Sequence, residues 1–251
     1  MDLNLRGKVA LVTGASKGIG ESIARSLYSE GCRLAINGRN AVNLEKVAAE
    51  LPGSLAILAD VTKADQAKKM IKKVVKTLGH LDNLVCNVGS GSSVPPGEEN
   101  YEEWNRVFST NLWSTTNTVE AACKSLSLRK GTIVCISSIC GIEVISEAPV
   151  TYSVAKSALN AYVRGISRPL GKQGIRINAI AAGNILFNGS VWSKKLQNNP
   201  QSVKDMLENN VSLSSLGSLE DVADLSVFLA SDRSSFVTGS IWTLDGGQVH
   251  S

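Results

Sequence analysis

The stretch that decides the fold is Lys8-Val-Ala-Leu-Val-Thr13, followed by Gly14-Ala-Ser-Lys-Gly18-Ile-Gly20 and Glu21-Ser-Ile-Ala-Arg-Ser-Leu-Tyr-Ser-Glu30. The first segment is short and apolar, which predicts a strand, and the last has the composition of a helix. Glycines between them permit a tight turn, and the helix N-terminus offers unpaired N–H groups to a pyrophosphate. We interpret the stretch as a nucleotide-binding strand–turn–helix unit. The alternative is a turn with a structural role only.

The same alternation continues along the chain. Strands are predicted at Arg33–Asn37, Leu55–Ala59, Leu84–Asn87, Gly131–Ser138, Arg176–Ile180 and Ser240–Leu244. Helices are predicted at Ala41–Leu51, 64–78, about 101–128, from Tyr152 onward, and at Glu220–Ala230. Residues 184–215 are polar and are expected to be irregular. The pattern predicts an α/β fold, a single doubly wound Rossmann-type parallel sheet with helices on both faces.

Length and composition indicate one domain over residues 1–251. The chain is 43% hydrophobic and 19% charged, and no linker or charge block divides it. Its net charge is +4, with one dense basic run at Lys68–Lys76. This run is typical of the exposed face of an amphipathic helix, with Met70, Ile71, Val74 and Val75 facing inward. Nucleic-acid binding through it is the less favoured alternative.

The five cysteines are expected to be free thiols in a reducing compartment. Their number is odd, most lie in apolar runs, and no pair has the spacing of metal ligands. We therefore expect no metal site. We also find no signal peptide and no apolar run long enough to cross a membrane, so the expected location is the cytoplasm, with no membrane partner. The cysteines are Cys32, Cys86, Cys123, Cys135 and Cys140.

A candidate catalytic set follows the fifth predicted strand. Ser138 ends that strand, and Tyr152-Ser-Val-Ala-Lys156 places a tyrosine and a lysine one helical turn apart on the same face. Both would lie at the carboxyl ends of the strands, where open α/β sheets bind ligands. A nearby ammonium favours the phenolate and so lowers the tyrosine pKa from its usual value of about 10, while a serine hydroxyl can hold a substrate oxygen. Such a set can exchange a proton with an alcohol or ketone. The alternative is an ordinary surface Tyr and Lys.

The end of the second strand bears on cofactor choice. A carboxylate there binds a ribose 2′-hydroxyl, whereas arginine accommodates a 2′-phosphate. This chain has Asn37-Gly38-Arg39 with no acid nearby, and Lys17 and Ser16 lie in the glycine turn. The residues therefore predict NADP(H), with a solvated loop charge or adenine stacking as alternatives for Arg39. Asp60, after the third strand, would accept a hydrogen bond from adenine, cap the next helix, or both.

With these motifs in place, the sequence resembles the classical short-chain dehydrogenase/reductase family over nearly the whole chain. The resemblance implies that Tyr152 is the acid–base catalyst, that Ser138 orients the substrate oxygen, and that Lys156 also binds the nicotinamide ribose. It further implies that Asn111 holds a water that links Lys156 to solvent. The segments that carry the resemblance are Thr13–Gly20, Asp60-Val61, Cys86-Asn87-Val88-Gly89, Ser109-Thr-Asn111-Leu, Ser138 with Tyr152 and Lys156, and Leu244-Asp-Gly-Gly247.

The resemblance also extends the expected cofactor site and shows where this chain departs from the family. Ala182-Gly183 stands where the family has Pro-Gly, and Ile185 would meet the nicotinamide carboxamide through its backbone. Phe187 replaces a threonine that often touches the cofactor. The residues expected to contact the cofactor are Gly14, Ser16, Lys17, Gly18, Ile19, Gly20, Arg39, Asp60, Val61, Asn87, Gly89, Tyr152, Lys156, Gly183 and Ile185.

The predicted function is that of an NADP(H)-dependent oxidoreductase acting on a secondary alcohol or its ketone, a 3-oxoacyl thioester being one candidate. The alternatives are a sugar or polyol dehydrogenase of the same family, another chemistry on the same scaffold, and a non-catalytic cofactor-binding regulator. A homo-oligomer is expected, most simply a tetramer, because the family is oligomeric and the apolar stretch Phe236–Leu244 would be costly to leave exposed. The loop at 184–215, which holds Trp192, Lys194 and Lys195, would either cover the site or be an ordinary solvated loop.

Overall fold

The computed structural model describes residues 2–250 and contains one parallel sheet. Over that range the sheet has seven strands in the order β3-β2-β1-β4-β5-β6-β7. The strands are β1 (Val9–Val12), β2 (Arg33–Gly38), β3 (Leu55–Leu58), β4 (Asn83–Cys86), β5 (Thr132–Ser138), β6 (Arg176–Ala182) and β7 (Ile241–Leu244). All predicted strands are present, and every paired neighbour is parallel. The predicted fold class is confirmed.

Helices cover both faces of the sheet. In chain order they are α1 (Gly18–Ser29), α2 (Ala41–Glu50), α3 (Ala64–Leu78), α4 (Tyr101–Phe108), a π-helical turn (Ser109–Trp113), α5 (Ser114–Ser127), α6 (Val150–Gly171), α7 (Val191–Asn198), α8 (Pro200–Asn210) and α9 (Leu219–Ala230). None of the helices found within residues 2–250 has the length and apolar character that a membrane crossing requires.

Alternate residues of the buried strands face the two helical layers. In β1, Val9 and Leu11 pack in the core under α3, α5 and α6, whereas Ala10 and Val12 pack in the core under α1, α2 and α9. This is the period of two that a strand imposes on its side chains, and a strand buried on both faces is apolar throughout. The inward side of α3 also agrees with its sequence pattern, since Met70, Ile71 and Val74 are buried and the basic run lies outside.

Two predictions about local structure need correction. Residues 184–215 are not irregular, because they contain α7 and α8. Each helix has a side-chain cap: Ser190 Oγ accepts from Ser193 N, and Asn199 Oδ1 accepts from Ser202 N. Pro200 then starts α8, the position where proline costs no hydrogen bond. The helix predicted at about 101–128 is present, but its middle turn, Ser109–Trp113, is π-helical.

The topology sets the position of the site. The chain runs outward from β1 to β3 and then returns to place β4 on the other side of β1. The strand order therefore reverses between β1 and β4, where a crevice opens at the carboxyl ends of the strands. The turn after β1 and the loop after β4 meet at that point.

Candidate functional site

A single cleft of about 1650 Å³ runs along the carboxyl ends of the strands. It brings together most of the residues that the sequence singled out, although they lie far apart in the chain. Two of them do not line it: Gly20 packs beneath the glycine turn, and Asn111 lies behind the loop that follows β4. The predicted residues that line the cleft are Gly14, Ser16, Lys17, Gly18, Ile19, Arg39, Asp60, Val61, Asn87, Gly89, Ser138, Tyr152, Lys156, Gly183 and Ile185.

The turn after β1 depends on glycine at specific positions. Gly14 and Gly18 have φ values of +63° and +58°, in the left-handed region that favours glycine. At Gly20 a Cβ would lie 2.3 Å from Asn87 Nδ2, so even a methyl group would displace that amide. The position before α1 is Lys17, whose side chain makes no capping hydrogen bond. Gly18 and Ile19, the first residues of α1, line the cleft, and the N-terminus of a helix favours an anionic group.

Asn87 fastens this turn to the neighbouring strand. Its backbone N–H donates to Thr13 Oγ1 at 3.0 Å, and its side-chain Nδ2 donates to the carbonyls of Thr13 and Gly14 at 3.1 Å each. The amide thus satisfies carbonyl groups that a tight turn would otherwise leave unpaired. These three hydrogen bonds hold the turn after β1 against the end of β4.

At the far end of the cleft, the structure corrects the expectation that no acid lies near Arg39. Asp60 Oδ2 is 3.8 Å from Arg39 Nη1, although the two residues are separated by a helix and a strand in sequence. Asp60 does not cap α3, whose N-cap is Lys63; its Oδ1 instead accepts hydrogen bonds from the backbone and hydroxyl of Thr62. Arg39 remains 68% exposed, so its guanidinium can still reach a ligand.

The Tyr–Ser–Lys set assembles at the ends of β5 and α6. Tyr152 is partly buried in the first turn of α6, and Ser138 is the last residue of β5. Lys156 is buried, with Nζ 5.8 Å from the Tyr152 ring centroid and donating to the Ile136 carbonyl at 2.8 Å. Cys140 N donates to Ser138 Oγ at 3.2 Å, which orients that hydroxyl. The predicted grouping of Tyr152, Ser138 and Lys156 in one corner is what the structure contains.

Burial shifts both titratable groups of this corner, and one shift differs from the expectation. It raises the pKa of Tyr152 to about 12, because a phenolate loses hydration there; a hydrogen bond with Ser138 opposes this rise. It lowers the pKa of Lys156 to about 8 for the same reason, since the ammonium is desolvated. The expected lowering of the tyrosine pKa is wrong, because desolvation dominates and Lys156 Nζ donates its hydrogen bond to Ile136 O.

Asn111 lies in the π-helical turn and holds the loop after β4. Its Oδ1 accepts from Ser90 N at 2.9 Å, and its Nδ2 donates to Ser90 O and Val107 O at 3.1 Å. A Cβ at Gly89 would lie 3.0 Å from Asn111 Oδ1 and 3.1 Å from Lys156 Nζ. The amide and the ammonium therefore approach the same glycine from two sides, and only glycine leaves room for both.

Several residues of the cleft could not be predicted from the sequence. The C-terminal segment reaches the cleft, where Asn184 Nδ2 donates to Gln248 Oε1 at 2.7 Å and His250 N donates to Glu143 Oε1 at 2.8 Å. Nothing in the local sequence predicts that residues near 250 meet residues near 143. Phe187, which stands where the family often has threonine, has its ring 2.9 Å from the point where Gly18 would carry a Cβ.

Helices α7 and α8 form one wall of the cleft. Trp192 and Lys195 line it, with Lys195 Nζ 5.0 Å from the Trp192 ring centroid and 3.5 Å from Glu147 Oε2. Lys194 is not among the lining residues. The sequence left open whether residues 184–215 cover the site or form an ordinary solvated loop. The structure supports contact with the site. The cleft therefore has the glycine turn at one end and the Tyr–Ser–Lys set at the other.

All five cysteines lie within residues 2–250 and are free thiols. Cys86 and Cys135 face each other on adjacent strands, and Cys140 lines the cleft. Within residues 2–250, no cluster of three or more His, Cys, Asp and Glu side chains is arranged to hold a metal ion.

Comparisons with known proteins place these features in a family. A family model described as enoyl-(acyl carrier protein) reductase matches residues 14–249. The chain is 34% identical over 246 residues to the 3-oxoacyl-(acyl-carrier-protein) reductase FabG of Staphylococcus aureus, covering 96% of this chain and 97% of that protein. Its structure is similar to L-sorbose reductase from Gluconobacter frateurii complexed with NADPH and L-sorbose, with TM-score 0.93, 26% identity and full coverage of both chains. It is also similar to a 7α-hydroxysteroid dehydrogenase complexed with NADH and a 7-oxo bile acid, with TM-score 0.90, 27% identity, and coverage of 100% and 97%.

Proposed function

Since this chain belongs to the short-chain dehydrogenase/reductase family and is a nicotinamide-dependent oxidoreductase acting on a ketone or its alcohol, we propose that it uses NADPH to reduce a ketone, with Tyr152 as proton donor. The observation that carries this proposal is the meeting of Tyr152, Ser138 and Lys156 in the same cleft as the glycine turn. When bound, the nicotinamide supplies or accepts the hydride.

The residues present fit such a cofactor along the length of the cleft. The N-terminus of α1 and the turn from Gly14 to Gly20 would hold the pyrophosphate, and Asn87 keeps that turn in shape. Lys156 would bind the nicotinamide ribose, and Ile185 would meet the carboxamide through its backbone. The remaining members of the set, including Ile19, Asp60, Val61, Gly89 and Gly183, line the same cleft.

Tyr152 is suited to act as an acid at neutral pH. With a pKa of about 12, its phenol is protonated and can donate to a ketone oxygen as negative charge develops there. Ser138, whose Oγ already accepts from Cys140 N, would donate its own hydroxyl proton to the same oxygen and orient the carbonyl. Lys156 is charged below about pH 8, and its ammonium would stabilise the phenolate left after proton transfer. Asn111 fixes the loop beside them.

For the choice between cofactors, we propose NADPH, recognised by Arg39 with help from Lys17. Arg39 is exposed, and its ion pair with Asp60 is long, so a 2′-phosphate can compete for the guanidinium. Charged hydrogen bonds to a phosphate contribute about 1.5–3 kcal/mol each, and about 1.4 kcal/mol is tenfold in affinity. The NADPH complex of L-sorbose reductase supports this choice, while the steroid dehydrogenase complexed with NADH shows that the fold also accepts the other cofactor.

The cofactor proposal is tested with Arg39→Ala combined with Gly38→Asp, which exchanges the guanidinium for a carboxylate. We expect affinity for NADPH to fall by two or more orders of magnitude and affinity for NADH to rise or stay level. A Cβ at Gly38 would lie 3.1 Å from Ser16 Cβ, so Arg39→Ala alone is the control for crowding. Fluorescence titration with each cofactor makes the measurement. A parallel loss of both affinities would mean that Arg39 stacks on adenine, and the NADP assignment would fail.

For the substrate, a 3-oxoacyl thioester and a sugar ketone are the two candidates. The first is supported by the full-length similarity to a 3-oxoacyl-(acyl-carrier-protein) reductase, and the second by the similarity to L-sorbose reductase and by the polar wall at Glu143, Trp192 and Lys195. NADPH oxidation measured with acetoacetyl thioesters, L-sorbose and other sugars, and cyclic ketones decides between them. No oxidation with any of these compounds would favour one of the two remaining alternatives, another chemistry on the same scaffold or a non-catalytic cofactor-binding regulator.

We propose further that the whole chain is one domain, that it forms a homo-oligomer, most simply a tetramer, and that it resides in the cytoplasm. One sheet with both faces covered supports the single domain. Two apolar features support self-association: the aromatic row of Trp104 and Phe108 on α4 and Trp113 in the π-helical turn, of which Trp113 is exposed, and the fully exposed Phe236. The free thiols support a reducing compartment.

A further inference from the structure

The loop from Ser90 to Ser93, which follows β4, forms the wall of the cleft beside the Tyr152 phenol. Ser90 and Gly91 line the cleft. A Cβ at Gly91 would lie 3.8 Å from both Cε1 and Cζ of Tyr152, which is van der Waals contact. The position of this loop therefore decides how much room a substrate and water have next to the phenol.

The continuous helical segment from α4 through the π-helical turn grips this loop at three successive points. Asn111 binds both the N–H and the carbonyl of Ser90. Arg106 Nη2 donates to the carbonyl of Ser92 at 2.8 Å. The hydroxyl of Ser93 donates to Glu103 Oε1 at 2.7 Å. Asn111 is already assigned to the site. Arg106 and Glu103, which make the other two contacts, have no proposed role in the reaction.

The direction of the hydrogen bonds at Ser93 follows from the charge of Glu103. Arg106 donates to both carboxylate oxygens, at 2.7 and 2.6 Å, and together with Ser93 it holds the pKa of Glu103 at about 2. Glu103 is therefore ionised near neutral pH and can only accept. Ser93 has one hydroxyl proton, which is committed to Glu103. The Oγ atoms of Ser93 and Thr151 lie 2.6 Å apart, so Thr151 must be the donor there.

Thr151 connects this chain of hydrogen bonds to the catalytic helix. It is fully buried in the first turn of α6, directly before Tyr152. We propose that Glu103, Ser93 and Thr151 are positioning residues: they fasten the Ser90–Ser93 wall to the start of α6 and so fix the space in which Tyr152 meets the ketone. The inference rests on the proposed role of Tyr152.

The first test removes the Thr151 hydroxyl without changing its shape, with Thr151→Val. We expect kcat for ketone reduction to fall about tenfold, the worth of one hydrogen bond, while the Kd for NADPH changes less than twofold. Thr151→Ser restores the hydroxyl and should restore the rate. Thr118→Val is the matched control, because Thr118 is equally buried but donates only to Ser114 O within α5. A rate for Thr151→Val equal to that of Thr118→Val would overturn the inference.

The second test asks whether the residues act as one chain. If they do, Glu103→Gln and Thr151→Val break the same connection, and the double variant should be no slower than the slower single variant. Rate losses that multiply in the double variant would show that the two residues act independently, which contradicts the proposal. The assays use whichever of acetoacetyl thioester and L-sorbose the unmodified enzyme reduces.

A third measurement needs no turnover and separates this inference from the proposed function. The phenol of Tyr152 is titrated by its ultraviolet absorbance, as the difference between each protein and its Tyr152→Phe counterpart. A loosened wall admits water, so Thr151→Val should lower the phenol pKa, whereas Thr118→Val should not. If the phenol pKa is the same in Thr151→Val and in the unmodified protein, the positioning role is contradicted. This result does not require a known substrate. Inactivity of the unmodified protein with every ketone counts against the proposed function instead.

Discussion

At the scale of single residues, one physical cause acts in opposite directions on the two central side chains. Burial disfavours charge, so it raises the pKa of the Tyr152 phenol and lowers that of the Lys156 ammonium. Near neutral pH the Tyr152 phenol therefore keeps its proton, and the Lys156 ammonium is charged but loses its proton more readily than an exposed lysine. The consequence is an acid that holds its proton near neutral pH and a cation that is easily lost above pH 8. This arrangement favours proton donation, which reduction of a ketone requires.

The proton-donor role of Tyr152 is tested by Tyr152→Phe, which removes the hydroxyl but little volume. Turnover should be abolished while NADPH still binds, because the variant lacks the proposed proton donor but keeps the shape of the cleft. The measurements are the rate of NADPH oxidation and the Kd for NADPH, both on the purified, folded variant. Near-normal turnover would mean that the proton comes from another group.

The buried charge of Lys156 predicts a pH-dependent stability. Its pKa falls from 10.5 in the unfolded chain to about 8, so between these values the unfolded state binds more protons and rising pH stabilises the fold. The cost of the buried charge is fully present below pH 8 and is on the order of 3 kcal/mol. Lys156→Met should therefore gain stability relative to the unmodified protein at pH 7, and this gain should shrink by pH 10.

Urea unfolding at the two pH values measures this effect. Lys172→Met, which removes an exposed lysine, is the control for a general change of net charge. A stability difference for Lys156→Met that is the same at pH 7 and pH 10 would show that the Lys156 charge is not penalised in the folded protein.

At the scale of elements, we expect the glycine turn, α1 and the end of β4 to hold the cofactor as one unit. The turn conformation requires positive φ at Gly14 and Gly18, and Asn87 from the end of β4 closes it with two side-chain hydrogen bonds. A substitution in the glycine turn, α1 or the end of β4 should therefore change the affinity for the cofactor. The crowding around the turn adds a second constraint, since Phe187 lies against Gly18.

Gly18→Ala tests this unit. Alanine at φ +58° is strained by about 1–2 kcal/mol, and its methyl would lie 2.9 Å from the Phe187 ring. We expect both a lower melting temperature and weaker NADPH binding, by tenfold or more. Gly53→Ala is the matched control, because Gly53 has φ +83° but nothing within 4 Å of its Cβ position. It should lose stability alone; equal losses of NADPH affinity in the two variants would contradict a local role for the turn.

At the scale of the whole molecule, two separate apolar features suggest two separate interfaces. One is the aromatic row that ends at Trp113, and the other is Phe236, which is fully exposed at the edge of the sheet that β7 forms. Two distinct two-fold interfaces generate a tetramer, the symmetry that closed oligomers commonly adopt.

Light scattering of the unmodified protein should give four times the chain mass of 26.6 kDa. Trp113→Glu and Phe236→Glu should each halve that mass, and the double variant should be a monomer. Val42→Glu changes an exposed apolar side chain on α2 and should leave the mass unchanged. A monomer at micromolar concentration for the unmodified chain would contradict the oligomer.

The sequence by itself determined the order of the strands and of the helices outside residues 184–215, and it named the glycine turn and the Tyr–Ser–Lys set that meet in the cleft. Apolar strands buried on both faces, a glycine turn between strand and helix, and a tyrosine and lysine one turn apart are local patterns with a fixed period or spacing. The prediction failed at α7 and α8, because the polar composition of residues 184–215 indicated a loop, whereas side-chain caps at Ser190 and Asn199 start two helices there.

Only the tertiary structure decided which distant residues meet. The approach of Asp60 to Arg39, the docking of His250 on Glu143, and the chain from Glu103 through Ser93 to Thr151 join segments with no sequence relation. The pKa shifts belong to the same class, because desolvation depends on how many atoms from all parts of the chain surround a group. Local patterns determine whether a segment is a strand, a helix or a turn. The electrostatic environment, the cleft volume and the hydrogen-bond partners at the site depend on how these segments pack.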